Sequence, residues 1–372
     1  MSINDETRWL HSLLSGERRG PGATLLRGLL GAAQVPYAAL MRLRNACYDR
    51  GWLRTCRVEP AVISVGNITA GGTGKTPMVR WLAQRLAERG MRPAVLMRGY
   101  RRGSARISDE QEMLSAWLSG GTAPIIVHAQ ADRVAGANNL LLRDPAIDVI
   151  VLDDGFQHRR LARDFDLVLI DATNPFGYGY VHPRGLLREP LAGLRRADAF
   201  VLTRSDGVRP AEGARIEGIL RGLNSIAPTY RCAHRWSGFR AGEDPAASPP
   251  RPLEDLRGRR VFVFAGIAQP AEIPRRLAEL GARCVGGRWF FDHHTYTAAQ
   301  LDELEAQAGA VGAEVLLTTE KDWAKIAALG WRPRGLAIRR IEMQLSFDPA
   351  AEAGLLSLIA ARLESSRLRR GG

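Results

Sequence analysis

A glycine-rich segment carries the strongest chemical signal in the sequence. Residues 65–77 read VGNITAGGTGKTP and lie between a short β-rich run and a helix-like pattern. Glycines let successive backbone N–H groups surround phosphate oxygens, and a following helix N-terminus adds partial positive charge. Lys75 could reach β- and γ-phosphates, and the Thr76 hydroxyl could bind Mg²⁺. The segment predicts a nucleotide-binding loop formed by Asn67, Thr69, Ala70, Gly71, Gly72, Thr73, Gly74, Lys75 and Thr76.

The spelling of this loop differs from the two commonest versions. The strict pattern GxxxxGK[ST] needs glycine at Thr69, and the pattern of the partitioning ATPases needs lysine at Ala70. A purely structural glycine turn is the alternative interpretation. The chain contains three lysines, Lys75, Lys321 and Lys325, among 52 Lys and Arg residues. A lysine retained at a motif position in such an arginine-biased chain favours the nucleotide site.

Two adjacent acids follow another apolar run. Asp153 and Asp154 come directly after residues 149–152, and Glu189 lies in the segment GLLREP at 185–190. Because parallel strands end at one edge of a sheet, these carboxylates could meet the phosphate loop and orient Mg²⁺. The pattern leaves open which aspartate binds the metal. The alternatives are an ordinary Asp-Gly turn and, for Glu189, an exposed loop ion pair.

Alternating strand and helix patterns surround these residues. Short apolar runs predict strands at 61–65, 92–97, 148–152, 166–170 and 199–203, and residues 76–89 predict a helix. The pattern indicates a P-loop NTPase-like α/β fold, with a parallel sheet and helices on both faces. A Pro-rich segment at 242–251 predicts a linker, and a second βα series follows it with strands at 261–265 and 315–318 and helices near 270–280 and 298–308. We therefore expect N-terminal helices at 1–56, a nucleotide-binding domain at 57–235 and a smaller α/β domain at 253–372.

The N-terminal region is rich in leucine and arginine. Residues 9–14 and 23–43 predict short helices that break near Pro36. Leu25, Leu26, Leu29 and Leu30 share one helical face. Such a helix could lie in the headgroup layer of an anionic bilayer, or it could pack its leucines onto its own domain.

Composition excludes several classes of protein. With 372 residues, 45% hydrophobic and 24% charged, the chain is neither disordered nor fibrous. The net charge of +13 suits phosphates, nucleic acid or an anionic membrane. Four scattered cysteines indicate neither a disulfide framework nor a zinc site. The sequence shows no signal-peptide pattern and no apolar run long enough to span a bilayer, so we expect an intracellular protein.

The segments together resemble the tetraacyldisaccharide 4′-kinases of lipid A biosynthesis. The order and spacing of the whole set are far more specific than any one member. The similar segments are residues 65–77, MRGYRR at 97–102, SDE at 108–110, DRVAGA at 132–137, LDDGFQHRRL at 152–161, PRGLLREPL at 183–191, ADAFVLTRSD at 197–206, FAGIAQP at 264–270, FFDHHTYT at 290–297 and TTEKDWAK at 318–325.

The resemblance implies a role for individual residues. It implies that Lys75 acts on the phosphates, that Asp109 is the catalytic base and that His293 is its partner, with neighbouring His294 as the competitor. It further implies that Asp153 and Asp154, together with Arg188 and Glu189, bind Mg²⁺ and phosphate. We assign the metal to Thr76, Asp153, Asp154 and Glu189, and the substrate to Arg188, Gln157 and His158.

The resemblance also implies the reaction and its setting. The expected reaction is ATP-dependent phosphorylation of the 4′-hydroxyl of a tetraacylated glucosamine disaccharide 1-phosphate, with Mg²⁺ as cofactor. Because this lipid A precursor stays in the bilayer, the resemblance favours membrane contact by the N-terminal helices. We expect the protein to be a monomer that binds no nucleic acid and to be attached peripherally to the cytoplasmic face of the inner membrane. We also expect the second domain to close over the active site.

Two rival functions are considered. A P-loop GTPase or metallochaperone-like NTPase is suggested by residues 203–206, TRSD, which loosely resemble a guanine-reading element, although arginine replaces its lysine. A nucleic-acid binder is suggested by the net charge alone, but the sequence lacks interleaved aromatics and zinc motifs.

Overall fold

The computed structural model describes residues 3–99, 111, 113–115, 117, 118, 125–245, 248–266, 272–290 and 294–371. The chain divides into two compact units. The larger unit comprises the described residues of Trp9–Ile107, Leu118–His234 and Leu345–Gly372. The smaller unit comprises those of Arg235–Gln344 together with described residues of Met1–Arg8 and Ser108–Trp117.

The larger unit alternates strands and helices. Its strands are β1 (Ala61–Asn67), β2 (Pro93–Met97), β3 (Ile126–Ala129), β4 (Val149–Asp153), β5 (Phe165–Asp171), β6 (Ala199–Thr203) and the first part of β7 (Thr229–Ala241). Its helices are α1 (Ile3–Ser15) from Trp9 onward, α2 (Pro21–Asp49), α3 (Lys75–Glu88), α4 (Arg133–Arg143), α5 (Pro210–Leu223) and α9 (Pro349–Gly371). Short 3₁₀ turns cover Gly177–Gly179, Leu191–Arg196 and Ser205–Gly207.

The sheet of the larger unit places two chemically important strand ends together. Its strand order is β3-β2-β4-β1-β5-β6-β7, and the pairs from β3 through β7 are parallel. Strand β1 lies between β4 and β5, and Val65 is in register with Asp153. The glycine loop after β1 and the acids after β4 therefore share the carboxyl edge of the sheet, as the sequence predicted.

Apolar side chains hold helices against this sheet. One cluster joins strand residues such as Ile150 and Leu152 to Ala137 and Leu140 of α4. A second cluster joins residues of β5 and β6 to Ile216 of α5 and Ala38 of α2. Strand side chains that are buried on both faces need such cover, which explains the near-continuous apolar runs in the sequence.

The smaller unit is a second α/β arrangement. It contains the second part of β7, then β8 (Arg260–Gly266), α6 (Glu272–Glu279), β9 (Arg283–Phe290), α7 (Ala298–Ala310), β10 (Val315–Thr319), α8 (Glu320–Ala328) and most of β11 (Ala337–Phe347), with a 3₁₀ turn at Leu253–Leu256. Its strand order is β7-β11-β10-β8-β9, with β11, β10, β8 and β9 parallel. Apolar clusters around Phe264 and Val263 form its core.

The predicted helix break at Pro36 is wrong. Residues Pro21–Asp49 form one helix that contains Pro36. A proline removes one backbone hydrogen bond and can kink a helix, but contacts on either side can keep it continuous. Tyr37 and Ala38, directly after the proline, pack into the second core cluster of the larger unit.

Among the described residues, no helix is long and apolar enough to cross a bilayer.

The C-terminal helix belongs to the larger unit, which differs from the predicted boundary of a domain at 253–372. Helix α9 contacts β1 and β5 of that unit. Its Leu355, Leu356, Ile359 and Leu363 are buried. The chain thus leaves the larger unit along β7 and returns to it along β11. The predicted linker at 242–251 also follows the unit boundary, which the contacts place after His234.

Helix α9 offers a direct test of this packing. We expect Ile359→Ala to lower the free energy of unfolding by about 2–5 kcal/mol, because a buried aliphatic side chain leaves a cavity. Leu368 is 74% exposed on the same helix. Leu368→Ala should therefore change stability by no more than about 0.5 kcal/mol. Urea unfolding followed by circular dichroism measures both, and equal effects of the two variants would contradict the packing of α9.

Candidate active site

Two glycines allow the phosphate loop to take its course. Gly74 precedes α3 with φ of 89°, a left-handed conformation that favours glycine. A Cβ at Gly74 would lie 2.7 Å from the His234 ring, and one at Gly66 would lie 2.5 Å from Cβ of Phe156. The absence of a side chain therefore lets His234 lie against the start of α3 and lets the segment after β4 pack closely against the end of β1.

The Lys75 ammonium group lies between an amide and a carboxylate. Its Nζ donates to Oδ1 of Asn67 at 3.1 Å and lies 3.6 Å from Oδ1 of Asp154. Burial is the largest influence on the pKa of Lys75 and lowers it, although Asp154 opposes the shift. The neighbouring carboxylates therefore do not fully compensate this buried cation.

The Asp154 carboxylate forms ion pairs with two cationic side chains, Lys75 and Arg188. Arg188 Nη1 donates to both carboxylate oxygens of Asp154 at 2.7 and 2.8 Å, and Lys75 lies on the same carboxylate. Burial acts to raise the pKa of Asp154, but Lys75 and Arg188 outweigh it and lower the pKa below its usual value. The lowered pKa of Asp154 therefore reflects the two cations beside it, whereas burial is the largest cause of the lowered pKa of Lys75.

Arg133 binds backbone oxygens at the carboxyl edge of the sheet, including that of Asp153. Its guanidinium donates to the backbone oxygens of Met97 at 2.5 Å, Gln130 at 2.7 Å and Asp153 at 3.1 Å. Arg133 is only 1% exposed. Burial lowers its pKa to about 10, which leaves it charged at neutral pH. Our sequence reasoning gave Arg133 no role, although its position directly after the helix-capping Asp132 was a usable signal.

Glu189 is fully buried and its carboxylate accepts from three side chains. Asn45 Nδ2 donates at 2.6 Å, Gln157 Nε2 at 3.0 Å and Arg196 Nη2 at 2.9 and 3.0 Å. The Gln157 amide also donates to the backbone oxygen of Asn67 at 3.0 Å. In this arrangement Glu189 organises neighbouring segments of the site.

Backbone and side-chain contacts tie the loop to two other segments. Arg188 N donates to Ile68 O at 2.8 Å, and Ala70 N donates to Leu186 O at 2.7 Å. Arg204 Nη2 donates to Gly72 O at 2.7 Å, and Thr203 Oγ1 donates to Thr73 O at 3.0 Å. Arg204 also forms an ion pair with Asp171. The TRSD segment therefore supports the loop, a contact that the sequence did not indicate.

The structure brings together most of the predicted site residues. Lys75, Asn67, Asp154, Arg188, Gln157 and Glu189 are joined by the contacts above, and Thr76 lies in the first turn of α3. His158 lies three residues beyond Gly155, to which its backbone N–H donates at 2.8 Å. Asp109 and His293 lie outside the described residues. His294 stacks on Phe290 at 4.3 Å and accepts a bond from Lys325 at its backbone oxygen.

The described part of the chain contains no group of three or more His, Cys, Asp or Glu side chains arranged to hold a metal ion. The carboxylates at the loop edge are instead engaged mostly by arginine, lysine and amide donors. Mg²⁺ at nucleotide sites is usually bound by one or two carboxylates together with phosphate oxygens of the substrate.

His158 predicts a specific pH dependence of stability. Burial is the largest cause of its lowered pKa, and Arg133 adds to the shift. The unfolded chain therefore binds this proton first as the pH falls below about 6.5, so the folded state loses stability there. We expect His158→Gln to lose less free energy of unfolding than the wild type between about pH 7.5 and about pH 5.5. Urea unfolding across this range measures the difference, and identical pH slopes would contradict a neutral, partly buried imidazole.

Comparison with known proteins identifies the family. The model of the tetraacyldisaccharide-1-P 4′-kinase family matches residues 26–361. A tetraacyldisaccharide 4′-kinase of Anaeromyxobacter dehalogenans (strain 2CP-C) is 39% identical over 345 residues, covering 88% of this chain and 89% of that protein. One from Syntrophus aciditrophicus is 38% identical and covers 89% and 92%, respectively.

A solved structure confirms the predicted fold class. A crystal structure of LpxK from Aquifex aeolicus, described as an "apo" form in complex with ATP, has a TM-score of 0.70 and 28% sequence identity. It covers 91% of this chain and 99% of that one. The mostly parallel α/β architecture predicted from the sequence is therefore shared. With a matching family model, close relatives over nearly full length and this shared fold, the chain belongs to the tetraacyldisaccharide-1-P 4′-kinase family.

Proposed function

We propose that this chain transfers the γ-phosphate of ATP to the 4′-hydroxyl of a tetraacylated glucosamine disaccharide 1-phosphate, a lipid A precursor. The observation that carries the proposal is Lys75, held between Asn67 and Asp154 at the mouth of a glycine loop, in a chain of this family. The family's relatives are named as kinases of this type, and the related Aquifex structure contains ATP. Family membership does not favour a GTPase or metallochaperone.

The chain's own residues supply the groups that phosphoryl transfer needs. Backbone N–H groups of the loop and Lys75 would hold the triphosphate, and Arg188 lies beside them on Asp154. The 4′-oxygen forms a bond to the γ-phosphorus as the bond to the β-phosphate oxygen breaks. In our proposal the Asp109 carboxylate accepts the hydroxyl proton, and His293 orients it. Closure of the smaller unit over the site, which would exclude water, remains a prediction.

Asp153 is the last residue of β4 and is in register with Val65 just before the glycine loop, a position that suits a metal ligand at this edge of the sheet. Asp154 is bound by Arg188 and Lys75, and the Glu189 carboxylate accepts from three side chains. We propose that Asp153 and Thr76 hold Mg²⁺, because oxygen ligands at a phosphate loop suit that ion. Mg²⁺ held by these residues would offset the negative charge of the phosphates during transfer. In this assignment Asp154 and Glu189 instead position the phosphate-binding groups.

The outer face of α2 suits a membrane substrate. Leu25, Leu29, Leu40 and Leu43 are each about 60% exposed, at 67%, 60%, 61% and 59%, and Trp52 follows the helix at 70%. Arg27, Arg42 and Arg44 lie close to these leucines in the helix sequence. An apolar face edged by cations is typical of helices that lie in the headgroup layer. This supports peripheral contact with a membrane. The cytoplasmic face of the inner membrane, a monomeric state and the absence of nucleic acid remain predictions.

Transfer of labelled γ-phosphate tests the reaction and the base. The wild type should label the disaccharide 1-phosphate but not an analogue that lacks the 4′-hydroxyl. We expect Asp109→Asn to lower kcat by about 10²- to 10⁴-fold, since the hydroxyl proton loses its acceptor. Glu110→Gln is the matched control and should keep wild-type kcat. Labelling of the analogue lacking the hydroxyl would overturn the reaction, and full activity of Asp109→Asn would overturn the base.

A magnesium titration tests the metal assignment. Asp153→Asn should raise the Mg²⁺ concentration needed for half-maximal activity by about tenfold or more, because removing a coordinating carboxylate weakens the site. Asp154→Asn removes the partner of Lys75 and Arg188, so it should change the KM for ATP while the Mg²⁺ requirement stays within about twofold. The reverse pattern would assign the ion to Asp154.

A further inference from the structure

Helix α2 contributes polar side chains to the periphery of the phosphate site. Tyr37 Oη donates to the backbone oxygen of Arg188 at 2.7 Å. Asn45 Nδ2 donates to Oε2 of Glu189 at 2.6 Å, and Arg44 Nη2 donates to the backbone oxygen of Gln157 at 2.8 Å. Three residues on one helix therefore contact the two segments that carry the site's polar groups.

The first connection runs through Arg188. Tyr37 holds the backbone of Arg188, whose guanidinium binds both oxygens of Asp154. Asp154 in turn lies 3.6 Å from the Lys75 ammonium. Because a single guanidinium nitrogen donates to both oxygens at short distance, a shift of the Arg188 backbone would move the carboxylate or break the pair.

The second connection runs through Glu189. Asn45 donates to Glu189, and Glu189 accepts from the Gln157 amide. That amide also donates to the backbone oxygen of Asn67, whose side chain accepts from Lys75. Glu189 is fully buried, so the loss of one donor leaves part of a buried carboxylate unsatisfied. Both connections from α2 thus end at the same ammonium group.

The two faces of α2 have separate surroundings. Tyr37, Ala38 and Asn45 face the remainder of the larger unit, and Ala38 is buried in its core. Leu40 and Leu43 face outward and are about 60% exposed, at 61% and 59%. A substitution on one face therefore need not disturb the other, which allows their contributions to be measured separately.

We propose that Tyr37 and Asn45 are positioning residues for phosphoryl transfer, acting through Arg188 and Glu189 to set the location of Lys75. Helix α2 is then part of the frame of the active site as well as the surface that faces the lipid. This inference rests on the proposed kinase function, because the positioned groups are those that hold the triphosphate.

Kinetics in two formats test the proposal. The acceptor is presented in detergent micelles and in vesicles of anionic phospholipid, and sedimentation measures vesicle binding. Asn45→Asp keeps the shape but replaces the donor with an acceptor beside Glu189, and Tyr37→Phe removes one hydroxyl. We expect kcat in micelles to fall about tenfold or more for Asn45→Asp and less for Tyr37→Phe, since small displacements of reacting groups are costly. The KM for acceptor and vesicle binding should stay within about twofold for both variants.

Control variants separate positioning from attachment and from folding. Leu43→Asn on the outer face should weaken vesicle binding and raise the acceptor KM in vesicles, with micellar kcat unchanged. Asn45→Gln retains an amide donor and should recover part of the kcat lost by Asn45→Asp. Tyr37→Phe changes a single atom, so its effect remains interpretable if Asn45→Asp unfolds.

Three results would overturn the inference. The first is wild-type kcat in Tyr37→Phe and Asn45→Asp, and the second is a loss confined to acceptor KM or vesicle binding. Both of these leave the kinase function intact if the wild type is active. The third is an inactive wild-type protein, which would remove the proposed function and this inference together.

Discussion

The burial of one ammonium group constrains the rest of the site. Lys75 lies at the mouth of the glycine loop, where burial lowers its pKa and Asp154 only partly compensates. A partly desolvated cation needs hydrogen-bond acceptors and negative charge nearby. Asn67 supplies the first and Asp154 part of the second. With Arg188 and Arg133 nearby, the edge of the sheet retains an excess of positive charge that a bound polyphosphate could neutralise.

Several hydrogen bonds in the larger unit hold the segments around Lys75 in place. Arg133 fixes the ends of β2, β3 and β4 through their backbone oxygens. Arg204 and Thr203 hold the far side of the loop, while α2 holds Arg188 and Glu189. Because the reacting groups of a phosphoryl transfer must be placed within fractions of an ångström, a rigid frame of this kind is a physical requirement. The helix that presents leucines outward belongs to that frame.

Local patterns explain which parts could be predicted from the sequence. The strands β1, β4, β5 and β6 and the helix after the loop were predicted within a few residues, because apolar runs and glycines act locally. The location of Lys75 and Asp153 at the same edge of the sheet followed from the rule that parallel strands end together. The roles of Asn45, Tyr37 and Arg204 were missed, since the partners Glu189, Arg188 and Gly72 lie 144, 151 and 132 positions away along the chain. The continuity of α2 through Pro36 depended likewise on tertiary packing that no local pattern encodes.

A bound polyphosphate should neutralise the cationic side chains around Lys75. Isothermal titration of ATP, ADP and AMP into the wild type and into Lys75→Met tests it most directly. In the wild type we expect affinity to rise with the number of phosphates and to fall with added salt, and in Lys75→Met we expect most of the preference for ATP over AMP to be lost. An unchanged ratio of ATP to AMP affinity in that variant would contradict the account.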